Sequence, residues 1–204
     1  MPRGIAMHSA RDQLFDAAER VLASAGPVGL TSRAVTDEAG VAKGLIYRYF
    51  IDLDEFLAEF TATKVRHAVE SVSSLADRAG SRTVTGNLSE ALLALFGPGS
   101  HVPAITGLVT SRPSLIPRLH RVLAETSAFG AIEDSLAAYI KAEQGLGRLT
   151  PSANPATEAA ILLGAVHHLV FAGQSADLVV PSRVQEIVTA VIAGMAPVPP
   201  GDRR

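Results

Sequence analysis

The segment from Leu30 to Phe50, LTSRAVTDEAGVAKGLIYRYF, constrains the fold of this chain more than any other stretch. Thr31 is a good N-cap for one short helix, and Gly40 suits the positive φ of a tight turn after it. A second helix, expected from about Ala42 to Tyr49, carries one lysine, one arginine and two tyrosines but no acidic residue. Two short helices joined in this way are typical of a helix-turn-helix, whose second helix enters the major groove of DNA.

The composition of the chain is apolar, and its net charge is close to zero. Of the 204 residues, 48% are hydrophobic and 19% are charged, and the formal net charge is −2. Residues 1–66 contain eight Lys or Arg and nine Asp or Glu, so any cations that contact DNA must lie together on one face. The lack of cysteine excludes disulfides and thiolate metal sites. Because we find neither a signal peptide nor an apolar run that would span a bilayer, we expect a cytoplasmic protein without a membrane partner.

Helical spacing and Gly/Pro punctuation predict helices throughout the chain and no strand, hence an all-α fold. A first helix is expected to begin at Ser9 and to end at Gly26, and a fourth to begin at Asp52. No glycine or proline occurs from Leu45 through Ala79, so the boundary between an N-terminal and a C-terminal part lies in or beside a continuous helix. Further helices are expected over residues 88–96, 103–111, 115–144 (bent or broken near Pro117 or Gly130), 155–172 and 182–192.

The last two helices are apolar on more than one side. In the helix over 155–172, Ala, Ile, Leu and Val cover almost the whole circumference, and such a helix must be buried on more than one side. We expect one side to face the core of its own chain and the other to face a partner, in a four-helix interface between two subunits. The alternative is a central helix in the core of a monomer. The residues expected at the interface are Ile161, Leu162, Ala165, Leu169, Val184, Ile187, Val188 and Val191.

Residues 9–60 resemble the tetracycline-repressor (TetR) family of bacterial transcription regulators. The resemblance rests on DAAERVLASAGPVGLTSRAVTDEAGVAKGLIYRYF followed by DEFL, in which the helix spacing, the turn glycine, Lys-Gly and the Tyr-x-Tyr-Phe ending follow the family's order. It implies a homodimeric repressor that binds double-stranded DNA at a palindromic operator and that a small-molecule effector releases. The corresponding domains are a DNA-binding domain over 1–52, an all-α ligand-binding and dimerisation domain over 53–196, and a disordered tail over 197–204.

The resemblance also implies a set of DNA-contacting residues. Hydroxyls and free amides at the start of the first helix suit a phosphate, and the basic and tyrosine side chains of the second suit base edges or backbone. The set is Thr31, Ser32, Arg33, Lys43, Gly44, Tyr47, Arg48 and Tyr49. Two positions depart from the family pattern. Ala42 replaces a frequent serine cap, which is expected to weaken the helix start by ~1 kcal/mol, and Leu53 replaces a lysine that often contacts phosphate.

Several polar and aromatic residues are candidates for an effector site, whereas no catalytic or metal-binding motif is present. The candidates are His101, Arg112, Phe129, Tyr139, His167 and Phe171. His167 and His168 point about 100° apart on a helix, so they are not the i, i+4 pair of a zinc helix. Because G-x-S-x-G, P-loop, H-E-x-x-H and G-x-G-x-x-G motifs are all absent, we expect neither an enzyme nor a bound cofactor or metal. Two alternatives stay open: a helical interaction module, and an enzyme with an unrecognised C-terminal active site.

Overall fold

The computed structural model describes residues 7–124, 130–173 and 180–196. These residues form ten α-helices and a 3-10 helix and contain no strand, which confirms the all-α prediction. The helices are α1 (Met7–Gly29), α2 (Ser32–Ala39), α3 (Leu45–Tyr49), α4 (Leu53–Ser73), the 3-10 helix (Leu75–Arg78), α5 (Val84–Phe96), α6 (Val102–Ser111), α7 (Leu115–Ala124), α8 (Ala131–Gly145), α9 (Pro155–Gly173) and α10 (Pro181–Gly194).

Packing separates the chain into two compact units. The first unit consists of Met1–Val65 and Ala104–Thr126, and the second of Arg66–Pro103 and Ser127–Arg204. The predicted domain limits of 1–52, 53–196 and 197–204 stay predictions, because a compact unit need not be an independently folding domain. No helix among the described residues is long and apolar enough to cross a bilayer.

The first unit is built around the apolar stripe of α1. The helix is kinked at Gly26, whose φ is 68°, immediately before Pro27 and where the sequence predicts its end. Phe15 lies on the same helix and packs against three further phenylalanine rings, at centroid distances of 5.5 to 6.1 Å. The buried core residues are Leu14, Ala17, Ala18, Val21, Leu22, Leu30, Val35, Ala39, Ile46, Phe50, Phe56, Leu57, Phe60, Ile105, Leu108 and Leu115.

α2 begins and ends as the sequence predicts, whereas α3 begins later. The Thr31 hydroxyl oxygen accepts a hydrogen bond from the Ala34 N–H at 3.1 Å, and Gly40 ends α2 in the left-handed conformation with φ 67°. α3 comprises only Leu45–Tyr49, so the predicted start at Ala42 is wrong by three residues. Residues 42–44 form a turn instead, because no side chain caps the helix at its N-terminal end.

The start of α4 combines capping with ion pairs from α6 and α7. Asp52 caps the helix by accepting from the Glu55 N–H at 2.9 Å, as its sequence predicts. Arg118 of α7 donates to both Asp52 carboxylate oxygens, at 2.5 and 2.8 Å. Arg112, just after α6, pairs through Nε with Asp54 Oδ1 at 2.9 Å. These contacts attach the segment from Ala104 to the first unit.

The second unit packs α5, α8, α9 and α10 around one core. Its helix limits differ from the predicted ones at the starts of α5 and α10. Thr83 caps α5 five residues before the expected start, and α10 begins at Pro181 with no capping role for Ser182. Gly130, with φ 84°, begins α8 at one of the two predicted break points. Asn154 caps α9 as expected. The buried core residues are Val72, Leu75, Val84, Leu88, Ala91, Leu92, Leu95, Phe96, Leu136, Tyr139, Ile140, Leu149, Ala159, Leu162, Val166, Val170, Val184, Val188 and Met195.

Candidate nucleic-acid interface

A hydroxyl–hydroxyl contact joins α2 to α3 on the outer side of the first unit. The Tyr47 hydroxyl donates to Ser32 Oγ at 3.2 Å, and the Tyr47 side chain is 55% exposed. Ile46, the neighbour of Tyr47, is fully buried and so anchors α3 in the core. Because Ile46 is buried while the next two residues, Tyr47 and Arg48, are exposed, the polar side of α3 faces solvent.

The basic residues predicted to contact DNA are all exposed, but they are not equally available. Arg33 pairs with Asp37 on the next turn of α2, with Nε 3.4 Å from Oδ2. Neither Lys43 nor Arg48 forms an ion pair with another described residue. An exposed, unpaired cation loses little on binding a phosphate, because no existing contact has to break. Lys43 and Arg48 are therefore the strongest anion-binding groups of this surface.

The remaining predicted DNA contacts occupy three kinds of position. Thr31 is exposed, and its hydroxyl oxygen already accepts the capping hydrogen bond. Gly44 has an ordinary negative φ of −85°, and a Cβ added to it would meet nothing within 4 Å. The fold therefore does not require glycine at position 44. Glycine would be required there if a binding partner such as DNA came close to the backbone. Tyr49 is half-buried and packs against the first core, so part of its role is structural.

A groove of about 280 Å³ lies beside this surface in the first unit. It brings together Thr31, at the start of α2, and Leu53, at the start of α4, with Arg112. Asp52 directly precedes Leu53 in the chain, and hydrogen bonds from Arg118 hold the pKa of Asp52 below its ordinary value. The complete lining is Pro27, Val28, Leu30, Thr31, Leu53, Ser111 and Arg112. Sequence analysis missed this neighbourhood because it depends on contacts between residues far apart in the chain.

The predicted effector residues within the described part of the chain are divided between the two units. Arg112 lies in the first unit, whereas Tyr139 and His167 lie in the second and His101 is exposed. Phe129 and the side chain of Phe171 lie outside the described part of the chain. Their assignment to an effector site stays a prediction.

Tyr139 is a buried core residue with a structural hydrogen bond. Its hydroxyl accepts from Asn87 Nδ2 at 3.0 Å, and Asn87 also donates to the Ser81 carbonyl at 2.9 Å. Burial raises the pKa of Tyr139 to about 12, and a hydrogen bond to Glu143 adds to the rise. This arrangement keeps the phenol neutral and fixes α5 against α8.

The two histidines of α9 have different environments. The His167 ring lies 5.8 Å from the Phe96 ring, centroid to centroid, and burial lowers the pKa of His167 below its ordinary value. His168 is exposed. The two adjacent histidines therefore differ in burial, as their separation of about 100° around the helix leads one to expect.

The residues predicted at a subunit interface fall into three groups by exposure. Leu162, Val184 and Val188 are fully buried in the core of their own chain, so their side chains are not exposed to a partner. Ile161 is 47% exposed, which leaves a large apolar side chain in solvent. The half-buried members are Ala165, Leu169, Ile187 and Val191.

The first unit matches a known family in sequence. Residues 14–60 match the family described as bacterial regulatory proteins, tetR family. This match covers nearly the whole of residues 9–60, the segment on which the predicted resemblance rests. No curated protein matches the chain in sequence.

Solved structures share the fold over most of the chain at low sequence identity. A transcriptional regulator from Rhodococcus sp. Rha1 is 23% identical, with a TM-score of 0.71 over 93% of this chain and 99% of that one. A TetR transcription regulator from Haloarcula marismortui is 15% identical, with a TM-score of 0.71 over 93% and 100%. The transcriptional regulator FadR from Bacillus subtilis, in complex with stearoyl-CoA, is 18% identical, with a TM-score of 0.67 over 90% and 98%. The fold is therefore shared well beyond residues 14–60.

Proposed function

We propose that this chain, whose residues 14–60 match the tetR family of bacterial regulatory proteins, is a homodimeric repressor that a small-molecule effector releases from a palindromic operator. The observation that carries the proposal is that Lys43, in the turn before α3, and Tyr47 and Arg48, on α3, are all exposed. Phosphate and base contacts need such groups on one side of a helix that fits the major groove.

The short length of α3 supports a dimer. A helix of five residues is ~7.5 Å long, which matches only about two base-pair steps of ~3.4 Å. One copy therefore contacts too few bases for specific binding. Two copies related by two-fold symmetry read two half-sites about 34–36 Å apart, which doubles the contacts and makes the operator palindromic.

The outer sides of α9 and α10 support the choice of dimer surface. Ile161 of α9 is exposed between the small residues Ala160 and Gly164. On α10, small or polar residues line a shallow depression: Ser182, Gln185, Glu186, Thr189, Ala190 and Ala193. Small side chains allow two helices to approach closely, and an exposed isoleucine gains free energy when a partner covers it.

An effector would act through the second unit. One protein of the same fold has been solved in complex with stearoyl-CoA, which justifies acyl-CoA thioesters in a first screen of effectors for this chain. The resemblance to the family suggests that binding shifts α4 and separates the two copies of α3. No enzymatic step belongs to this proposal.

The proposal is tested by footprinting and gel shift on the DNA that flanks the protein's own gene. We expect protection of a palindrome, and a dimer of the chain in light scattering. Failure of the wild-type protein to shift any genomic fragment at low salt would refute DNA binding. Lys43→Ala should lower the affinity for all sequences and flatten its salt dependence. Lys141→Ala, an exposed lysine of α8 in the second unit, is the matched control and should leave both unchanged.

A further inference from the structure

We propose that Arg112, just after α6, is a further DNA-binding residue that contacts a backbone phosphate. The inference rests on the proposed function and extends the DNA-binding surface beyond α2 and α3. It reassigns Arg112 from the effector site, where sequence analysis places it, to the DNA-binding side of the first unit.

The position of Arg112 is the first argument. Arg112 and Thr31 line the same groove of about 280 Å³, and Thr31 is one of the residues expected to meet phosphate. Val28, also in the groove, is 88% exposed, so the groove opens to solvent beside the α2–α3 surface. A DNA strand that reaches Thr31 therefore passes the mouth of the groove that contains Arg112.

The orientation of the Arg112 side chain is the second argument. Its Nε lies 2.9 Å from Asp54 Oδ1, and the side chain is 36% exposed. The two terminal nitrogens have no hydrogen bond to another described residue. A carboxylate on Nε thus holds the guanidinium in one orientation while two N–H₂ groups stay available, and paired N–H donors are the geometry that binds phosphate oxygens.

The local charge is the third argument. The start of α4 presents three carboxylates, those of Asp52, Asp54 and Glu55, and position 53 is an uncharged leucine. A DNA backbone close to this turn would be repelled unless cations lay nearby. Arg118 neutralises Asp52 and Arg112 neutralises Asp54. The two arginines thereby offset two of the three negative charges of this turn.

The experiment measures the salt dependence of binding to a random-sequence duplex, because phosphate contacts do not depend on sequence. Full-length wild-type protein is compared with Arg112→Gln, Arg112→Lys and the double variant Asp54→Asn/Arg112→Gln. Arg82→Gln is the matched control, because Arg82 is an exposed arginine of the second unit that also pairs with an acid, Glu90. Thermal unfolding verifies that each variant is folded.

We expect Arg112→Gln to lower the affinity and to reduce the slope of log affinity against log salt by about 0.9 for each copy bound. Arg112→Lys should keep most of the slope, and Arg82→Gln should keep all of it. The double variant should bind the duplex as weakly as Arg112→Gln does, because neutralising Asp54 does not replace a phosphate contact.

Two results would overturn the inference alone. The first is a wild-type slope in Arg112→Gln, and the second is full recovery of affinity in the double variant, which would reduce the role of Arg112 to neutralising Asp54. If the wild-type protein itself binds no duplex at low salt, both the proposed function and this inference are wrong. The behaviour of the wild type therefore separates the two failures.

Discussion

Arg118 donates to both carboxylate oxygens of Asp52, at 2.5 and 2.8 Å, although the two residues lie 66 positions apart in the chain. The same carboxylate caps α4 by accepting from the Glu55 N–H at 2.9 Å. Asp52 thus has two functions, a local one at the start of a helix and a long-range one that fixes α7 in the first unit. Because an amide can cap a helix but cannot form an ion pair, substitution separates the two.

Asp52→Asn and Asp52→Ala should destabilise the protein to different degrees. Asparagine keeps an oxygen that accepts the capping hydrogen bond and loses the charge that Arg118 pairs with, whereas alanine loses both. Loss of the cap adds ~1 kcal/mol to the cost in the alanine variant. The free energy of unfolding in urea should follow the order wild type, Asn, Ala. Equal values for the two variants would show that the capping hydrogen bond contributes nothing.

The ion pair of Asp52 should also make stability depend on acid pH. The hydrogen bonds from Arg118 hold the pKa of Asp52 below 3.8 in the folded chain. A carboxyl with a depressed pKa stabilises the folded state fully above its unfolded pKa and progressively less as pH falls through the folded value. The stability difference between wild type and Asp52→Asn should be constant above about pH 5 and should shrink below about pH 4. Urea titrations at several pH values measure it, and a difference that grows towards acid pH would contradict this sign.

The two apolar helices at the C-terminal end should respond differently to an inserted arginine. Ile161 is 47% exposed, whereas Val188 is fully buried in the core of its own chain. Ile161→Arg should therefore give a folded monomer that has lost operator binding, while Val188→Arg should unfold the second unit, because a buried charge lacks a partner. Light scattering and circular dichroism distinguish these outcomes. A folded dimer in Ile161→Arg would place the subunit interface elsewhere.

The features that sequence predicted best are those decided by neighbouring residues. The cap at Thr31, the turn at Gly40 and the start of α9 at Asn154 each depend on contacts within four residues, so the local sequence pattern is enough to predict them. The sequence places the start of α3 three residues too early, because Ala42 offers no capping atom and the chain makes a turn before the helix begins.

The features that sequence could not supply depend on long-range packing. Nothing near Arg112 in the sequence indicates that its guanidinium meets Asp54, so a basic residue among apolar neighbours is expected at an effector site instead. An all-round apolar helix likewise does not reveal which side faces its own core. Val184 and Val188 were therefore grouped with Ile161, although only Ile161 is exposed.

His167 should make the stability of the second unit fall below neutral pH. Burial lowers the pKa of His167 from 6.5, so in this range the unfolded chain binds a proton that the folded chain does not. The folded state is then favoured above pH 6.5 and loses this contribution as pH falls. His167→Gln should flatten the pH dependence of the melting temperature between about pH 7.5 and 5. The exposed neighbour His168 provides the matched control. If His168→Gln flattened the pH dependence equally, burial of His167 would not be the cause of that dependence.

The hydroxyl contact between Tyr47 and Ser32 should act as one unit in DNA binding. Tyr47 donates to Ser32 Oγ at 3.2 Å, so each hydroxyl orients the other at the junction of α2 and α3. Tyr47→Phe and Ser32→Ala should each lower the affinity for an operator duplex, and stability should change by less than about 0.5 kcal/mol because Tyr47 is exposed. In a double-mutant cycle the combined variant should lose no more affinity than the weaker-binding single variant, since either change already breaks the contact. Losses that add would mean that the two hydroxyls meet separate phosphates and that their hydrogen bond does not organise the surface.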